Sequence, residues 1–288
     1  MRFDRRALLA GGAAAMLAGF AGPANADSAA TRLRVVDDRV FVDAVVNGRP
    51  TTALLDSGAE MTVLDRAFAA RLGISGGSAA TVRGTGAATI EARLVRGVEV
   101  IVAGLRLRSP TVAVIDLADI ARRVHLDRID VLVGRDLFDA ARLAIDLRAG
   151  SVRAGASIVP AGVRLPLVPE RGVETIPILI EGSPARADFD LGNGGSVLIG
   201  AGFANRHQML ADGRPLATIP GGGIGGATLQ TTLSLRTLDL GGRRFYDVPA
   251  AIDTSPTAAD ANIGVRLLKR FGIVTDFAAR SVWLDFRG

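Results

Sequence analysis

Short runs rich in β-branched and aliphatic residues follow one another along the chain, and turn residues separate them. Arg39–Val46 and Thr51–Leu55 are two such runs, and Asn47-Gly48 between them is a typical hairpin turn. Thr89–Val102 is long enough for a further strand. The pattern therefore predicts that the first half of the chain is mostly strand.

The second half of the chain repeats this order. Glu174–Ile180 and Ala185–Phe189 form the paired runs, and Glu181-Gly182 occupies the turn between them. Thr228–Leu240 follows as the longer strand. The repetition predicts that the two halves fold alike.

A short helix is predicted after the paired strands of the first half. Asp65 is suited to capping a helix N-terminus, and Leu64, Phe68 and Leu72 would share one face of the helix. Gly73 would end it. We expect one helix of this kind in each half.

An internal repeat supports the division into two halves. When Gly134 is aligned with Gly264, residues 134–152 match residues 264–282 without a gap, and six of the nineteen positions are identical. Self-similarity at one fixed spacing indicates a repeated structural unit. The repeat therefore predicts that the chain contains two copies of one structural unit.

The same repeat extends upstream to a second pair of blocks. Residues 53–58 match residues 187–192 at nearly the same spacing. We predict a mainly β fold of two similar, closed, barrel-like lobes related by a pseudo-two-fold axis. The first lobe would span residues 27–150 and the second residues 163–288, with a linker over residues 151–162.

Each upstream block ends an apolar strand with an aspartate, Asp56 in the first half and Asp190 in the second. A glycine two residues later permits a tight turn. Two such carboxyl groups that meet across a two-fold axis cannot both ionise easily, so they share one proton. One would take a proton from water and the other would donate to an amide carbonyl, which is general acid–base hydrolysis.

The residues around these aspartates resemble a known family. Ala53–Ala59 resembles the active-site motif of aspartic proteases of the retroviral and pepsin type. Leu132-Val133-Gly134 is similar to the apolar-apolar-glycine motif that packs beneath the catalytic turn, and Asn262-Ile263-Gly264 matches that motif less well. Val82–Gly86 stands where the first flap is expected, and residues 267–284 resemble the closing strands of bacterial two-lobed members.

The resemblance implies a bacterial, single-chain member that cleaves peptide or protein substrates. Retroviral relatives build their active site from two identical chains, whereas this chain carries both halves and is expected to be a monomer. The site residues that the resemblance implies are catalytic Asp56 and Asp190; supporting Ser57, Gly58, Gly192 and Asn193 in the active-site turns; Gly84, Thr85, Gly86 and Gly223 in the flaps; and Gly134 and Gly264 beneath the turns.

The second motif departs from the family pattern at Leu191. In the family, a Ser or Thr after each catalytic aspartate hydrogen-bonds to the opposite turn. Ser57 can form this bond and Leu191 cannot, so we expect only the first turn to donate a hydrogen bond to the opposite turn. Asn193 is a candidate to replace the bond that Leu191 cannot form. Asp188 is also near the second turn, but Asp190 is the one followed by Gly192 at the right spacing.

Residues 1–26 have the pattern of a signal peptide. Arg5-Arg6 opens it, an apolar run from Ala7 to Phe20 follows, and Ala24-Asn25-Ala26 is a small-residue cleavage site. The paired arginines favour the twin-arginine route, with the general secretory route as the alternative. Because the run is too short and too rich in Gly and Ala to span a membrane, we expect a periplasmic or extracellular protein with no stable span after cleavage.

Composition removes several other classes of function. The chain has no Cys and only two His, so we expect no disulfide, no thiolate nucleophile, no metal and no cofactor. The net charge of +5 is not concentrated in any stretch, so no nucleic-acid partner is expected. Gly73–Gly77 fits the nucleophile-elbow motif of serine hydrolases, but that motif should follow a strand and here it follows a helical pattern. Gly221–Gly226 fits the glycine motif of dinucleotide-binding loops, but that motif should precede a helix and here it precedes a strand-like run. We therefore expect neither function.

The leading hypothesis is an aspartic endopeptidase of the cell envelope whose flap strands pair with the substrate backbone. The alternative is a non-catalytic peptide- or ligand-binding module on a protease scaffold, because Leu191 weakens the support of the second aspartate. A third hypothesis is an obligate dimer that uses only the aspartates of the first half.

Overall fold

A computed structural model describes residues 2–3, 27–83, 88–107 and 111–288. Apart from Arg2 and Phe3, the predicted signal peptide lies outside the described residues. The predicted first flap, Gly84-Thr85-Gly86, also lies outside them. No helix in the described part of the chain is both long and apolar enough to cross a membrane.

Strands make up 52% of the described residues and helices 11%, which confirms the mainly β class. The described helices are all short. They are Arg66–Arg71, Ala118–Arg123, Arg135–Ala140, Ala201–Arg206 and Val265–Leu268.

The described strands form two sheets, one of which continues from the first half of the chain into a layer made by both halves. Its first-half strands are Arg2–Phe3, Thr31–Val36, Arg39–Val46, Arg49–Leu55, Val63–Asp65, Ser78–Arg83, Thr89–Val95, Val100–Val102, Leu105–Leu107, Val112–Ile115 and Val131–Val133. The strands of the shared layer are Leu143–Asp146, Ser151–Ala154, Val163–Pro166, Phe271–Asp276 and Ser281–Phe286.

The second sheet belongs to the second half of the chain. Its strands are Val168–Glu170, Val173–Ile180, Ser183–Phe189, Val197–Gly200, Ala217–Gly223, Gly226–Leu240, Arg243–Asp253 and Ala261–Ile263. Val173–Ile180 pairs with Gly226–Leu240 as well as with its sequence neighbours, which brings the sheet back onto itself. Closure into barrels and the pseudo-two-fold axis stay predictions.

The two predicted hairpins form as expected, and their turns have the same backbone conformation. Asn47 and Gly48 have φ values of 46° and 76°, and Glu181 and Gly182 have φ values of 51° and 81°. Two successive residues with positive φ are the mark of a type I′ turn, whose twist matches that of the flanking strands. The predicted helix after Asp65 is also confirmed, because the Phe68 amide donates to Asp65 Oδ1 at 3.0 Å.

The prediction of one strand over Thr89–Val102 is wrong. The structure has two strands there, Thr89–Val95 and Val100–Val102. Gly97 lies between them with a φ of 79°, which departs from the extended conformation of a regular strand. The segment predicted as a linker begins with the strand Ser151–Ala154, and the boundaries of the two lobes stay a prediction.

The shared layer explains the identities in the internal repeat. Leu143–Asp146 pairs with Phe271–Asp276, so the repeated segments lie side by side. Asp146 Oδ1 accepts from the Ala149 amide at 2.8 Å, and Asp276 Oδ1 accepts from the Ala279 amide at 2.9 Å. The repeated aspartates therefore stabilise equivalent turns, and one continuous apolar core joins the two halves.

The strand that precedes each active-site turn has the same neighbour in both halves. Arg49–Leu55 pairs in parallel with Val131–Val133, and Ser183–Phe189 pairs in parallel with Ala261–Ile263. Gly134 directly follows the first of these neighbours. A Cβ at Gly134 would lie 2.4 Å from the Met61 carbonyl oxygen, which is too close for any side chain.

We predict that Gly134→Ala lowers the free energy of unfolding by about 1–3 kcal/mol, because the contacted atoms are backbone atoms of the first turn and cannot rotate away. Gly202→Ala is the control. Its Cβ would lie 3.6 Å from Arg206 Nη1 in a short helix, so this variant should be neutral or up to about 1 kcal/mol more stable. Urea unfolding measures both, and equal stability of the two variants would contradict the account.

Candidate active site

The fold places Asp56 and Asp190 at equivalent positions, directly after the strands Arg49–Leu55 and Ser183–Phe189. The Asp56 amide donates to the Val133 carbonyl at 2.9 Å. The Asp190 amide donates to the Ile263 carbonyl at 3.1 Å. Each aspartate is therefore anchored by the parallel strand beside it.

Glycines bring the two carboxyl groups together. The Gly58 amide donates to Asp56 Oδ1 at 2.9 Å, and the Gly192 amide donates to Asp190 Oδ1 at 2.8 Å. A Cβ on Gly58 would lie 2.7 Å from Oδ1 of Asp190, and a Cβ on Gly192 would lie 2.4 Å from Oδ1 of Asp56. Each turn thus packs its glycine against the carboxyl group of the opposite half.

Ser57 connects the two turns across the interface. Its buried hydroxyl donates to the Phe189 carbonyl at 2.8 Å and accepts from the Leu191 amide at 2.9 Å. Leu191 is fully buried and returns no hydrogen bond through its apolar side chain. The hydroxyl support between the turns is therefore one-sided.

Two asparagines support Asp190 from within its own half. Asn262 Nδ2 donates to Asp190 Oδ2 at 2.7 Å. Asn193 Nδ2 donates to Asn262 Oδ1 at 2.7 Å, and Asn193 Oδ1 accepts from the Gly195 amide at 2.8 Å. Asn262 is polar where the family motif has an apolar residue. Its hydrogen bond to Asp190 gives this polar side chain a role.

The orientation of both asparagine amides follows from the Gly195 amide. A backbone N–H can only donate, so the Asn193 group that faces Gly195 must be its oxygen. Asn193 then presents its NH₂ group to Asn262, whose oxygen must face Asn193. Asn262 is left with only its NH₂ group to present to Asp190, so this contact is a hydrogen bond donated to the carboxylate.

The hydrogen bonds around the two carboxyl groups are unequal. Asp190 accepts from the Gly192 amide, from the Asn193 amide at 3.2 Å and from Asn262. Among the described residues, only the Gly58 amide donates to Asp56. Burial, and then the charge of Asp190, raise the pKa of Asp56 to about 7. Both effects favour the protonated form of Asp56.

A cavity of about 850 Å³ opens above the two carboxyl groups. Both halves line it, with Leu54 and Ile129 from the first half and Leu233 and Pro249 from the second. Asp188 is buried in its strand and does not line this cavity. Asp190 is therefore the second aspartate that faces the space where a substrate would bind.

A hairpin from the second half covers the cavity. We call it the flap hairpin, and it consists of the strands Ala217–Gly223 and Gly226–Leu240 with the turn between them. Ile224 at its tip is buried in the apolar cluster of the first half. Arg123 Nη2 donates to the Gly223 carbonyl at 2.5 Å, and the Ala88 amide donates to the Gly225 carbonyl at 2.8 Å.

The other predicted site residues have clear positions. Gly134 and Gly264 lie beneath the turns, where a Cβ on Gly264 would lie 2.5 Å from the Asn193 carbonyl oxygen. Gly223 lies at the tip of the flap hairpin and lines the cavity. The flap residues Gly84, Thr85 and Gly86 lie outside the described residues.

Arg39 is a site residue that sequence reasoning missed. It begins the strand Arg39–Val46, lines the cavity, and donates from Nη1 to the Gly192 carbonyl at 2.5 Å. An arginine at the start of an apolar strand is ordinary in sequence, so no motif marked it. Its proximity to Asp190 arises only from the packing of the two halves.

Each half of the chain thus contributes one aspartate to a site with paired carboxyl groups. Residues 42–137, about a third of the chain, match the family model described as aspartyl protease. The resemblance to aspartic proteases is thus confirmed over that segment, and the match supports a protease or hydrolase activity. No curated protein matches the chain.

We predict that Ser57→Ala lowers the free energy of unfolding by about 3 kcal/mol, because it leaves the Leu191 amide and the Phe189 carbonyl buried without their partner. Ser57→Thr keeps the hydroxyl and should stay within about 1 kcal/mol of the unmodified chain. Thermal and urea unfolding of both variants measure this. A Ser57→Ala protein as stable as Ser57→Thr would show that the bond between the turns contributes nothing.

We predict that Ile224→Ala frees the flap hairpin from the first half. Hydrogen–deuterium exchange over residues 217–230 should become about tenfold faster or more, because the apolar anchor of the tip is lost. Leu229→Ala is the matched control in the same hairpin, since Leu229 is 74% exposed. Equal exchange in both variants would mean that Ile224 does not hold the flap.

Proposed function

We propose that the chain is an aspartic endopeptidase that hydrolyses peptide bonds with a water molecule activated between Asp56 and Asp190. The observation that carries this proposal is the reciprocal packing of each turn glycine against the opposite carboxyl group. That packing forces two carboxyl groups from different halves of one chain into a single site. One chain supplies both aspartates, so the mechanism needs no dimer.

The hydrogen bonds divide the work between the two aspartates. Asp190, ionised, takes a proton from water, and the resulting hydroxide attacks the carbonyl carbon of the scissile peptide bond. Asp56, protonated, donates to the carbonyl oxygen as the tetrahedral intermediate forms. When the intermediate collapses, Asp190 gives its proton to the amide nitrogen, the C–N bond breaks, and Asp56 takes back its proton from the hydroxyl group of the intermediate. Because no covalent intermediate forms with the protein, the site needs neither a nucleophilic side chain nor a metal.

The flap hairpin offers a binding edge for an extended peptide. Ala217–Gly223 is the last strand of the second sheet and pairs with Gly226–Leu240 alone among the described strands. A peptide in the cavity can add to its free edge through backbone hydrogen bonds. Binding of this kind depends little on substrate side chains, which suits an endopeptidase of broad specificity.

We also propose that the protein is exported to the periplasm or the extracellular space, because residues 1–26 have the pattern of a signal peptide. We propose that it is a monomer, because one chain supplies both aspartates. A protein carried by the twin-arginine route arrives folded, and a chain without cysteine needs no oxidative step after export.

The proposed function is tested by digestion of an unbiased peptide mixture with residues 27–288 between pH 3 and pH 8. Asp56→Asn and Asp190→Asn should each reduce cleavage by about a thousandfold or more, because each removes one half of the acid–base pair. Asp37→Asn is the control, since Asp37 lines the same cavity outside the carboxyl pair and should cleave normally. Undiminished cleavage by folded Asp56→Asn would refute the proposal.

The hydrogen bonds also predict a pH profile. Activity should fall as pH rises through about 7, where Asp56 loses the proton that it donates. Leu132 occupies the position in the first half that is equivalent to Asn262. The substitution Asn262→Leu therefore makes the two halves alike at this position and removes the hydrogen bond that Asn262 donates to Asp190. The carboxylate that takes the proton from water then loses a hydrogen bond, so kcat should fall about tenfold while the loss of activity near pH 7 stays in place. An unchanged kcat would contradict the role of Asn262, with Asn205→Ala as the surface control.

A peptide-binding module without turnover is the second candidate. The observation that favours it is Leu191, which leaves Ser57 as the only residue, among those that the structure describes, whose hydroxyl group connects the two turns. In that case peptides would bind to the cavity, no cleavage would occur at any pH, and Asp190→Asn would leave binding unchanged.

A further inference from the structure

Arg39 brings a positive charge to the floor of the cavity, next to the carboxyl pair. Its Nη1 donates to the Gly192 carbonyl at 2.5 Å, and Gly192 itself packs against the Asp56 carboxyl group. The other N–H groups of the guanidinium have no hydrogen-bond acceptor among the described residues. Arg39 is thus held by one backbone contact and presents its remaining donors to the cavity that it lines.

Arg39 has no carboxylate within 4.0 Å among the described residues, although three acidic groups lie near it. Asp56 and Asp190 interact with it only through the longer-range electrostatic field. Asp38 is the third, and it already pairs with Lys269 at 2.7 Å and with Arg266 at 3.0 Å. Burial lowers the pKa of Arg39, because a charged guanidinium group loses favourable hydration when it is removed from water.

The backbone beside Arg39 leaves room for the guanidinium group. A Cβ on Gly194 would lie 2.9 Å from Cζ and 3.1 Å from Nε of Arg39. A larger residue at this position would push the guanidinium out of its place. The loop of the second half therefore fits an arginine that comes from the first half.

We propose that Arg39 binds a carboxylate of the substrate beside the scissile peptide bond. The proposal deepens the proposed function, because it names the substrate class of the same cavity. A guanidinium group forms two parallel N–H···O hydrogen bonds with a carboxylate, and both are strengthened by charge. The carboxylate would come from an acidic side chain of the peptide or from its free C-terminus.

Two other roles for Arg39 make different predictions. If it only offset the charge of the carboxyl pair, its loss would change the pH profile for every peptide alike. If it only braced the Gly192 turn, its loss would lower stability and weaken all peptides by the same factor. Only a carboxylate-binding role makes the effect depend on whether the peptide carries a carboxylate.

The test measures binding rather than cleavage, and uses residues 27–288 with Asp56→Asn. Asparagine imitates protonated Asp56, so the charge beside Arg39 is kept while hydrolysis is prevented. The probes are fluorescein-labelled alanine-based decapeptides with one Glu, or one Gln, at each position in turn. A second set compares a free C-terminal carboxylate with a C-terminal amide, and fluorescence anisotropy gives Kd for each peptide.

We expect a peptide with Glu at one position, or with a free C-terminus, to bind about tenfold more tightly than its neutral partner. Adding Arg39→Gln should abolish the difference, and Arg39→Lys should retain only part of it. Gly194→Ala should reduce the difference while it keeps the charge. The set of peptides that shows the preference identifies the source of the carboxylate.

Equal Kd values for acidic and neutral peptides, or a preference that survives Arg39→Gln, would overturn the proposal. An absence of binding by every peptide would overturn it as well. These outcomes are independent of the proposed function, which is tested by cleavage. An Arg39-dependent preference without hydrolysis in the unmodified chain would support the carboxylate site and refute the endopeptidase.

Discussion

The repulsion between two carboxyl groups that must lie together is the interaction on which the rest of this structure depends. Asp56 and Asp190 come from different halves of the chain, and neither would stay beside the other without constraint. Gly58 and Gly192 permit the approach because they lack side chains, and the Ser57 hydroxyl fastens the turns through two hydrogen bonds. The shared layer of strands and one continuous apolar core hold the two halves together beneath the site.

The two halves support their aspartate-bearing turns with different residues. The first half contributes a serine that reaches across the interface, and apolar Leu132 beneath its turn. The second half has no hydroxyl group at Leu191, but Asn193 and Asn262 form a chain of amides that ends on Asp190. This difference breaks the symmetry of the pair. It supports the proposed mechanism, in which Asp56 acts as the acid and Asp190 as the base.

Much of the fold could be predicted because it depends on local signals. The hairpins at Asn47 and Glu181 and the helix cap at Asp65 follow from turn and capping preferences over a few residues. The division of Thr89–Val102 into two strands was missed because a single glycine, Gly97, interrupts an otherwise apolar run. Arg39 and Asn262 could not be assigned roles from sequence, because each acts on a residue far away in the chain. The packing of the two halves brings Arg39 to Gly192, and strand pairing within the second half brings Asn262 to Asp190.

The assignment of the shared proton is tested most directly by a ¹³C NMR titration of the aspartate side-chain carboxyl groups in residues 27–288. The account predicts that the Asp56 carboxyl titrates near pH 7. It also predicts that Asp190→Asn moves the pKa of Asp56 downward, since the neighbouring negative charge is gone. A carboxyl group of Asp56 that is ionised throughout the range from pH 5 to pH 8, with no response to Asp190→Asn, would contradict the shared proton.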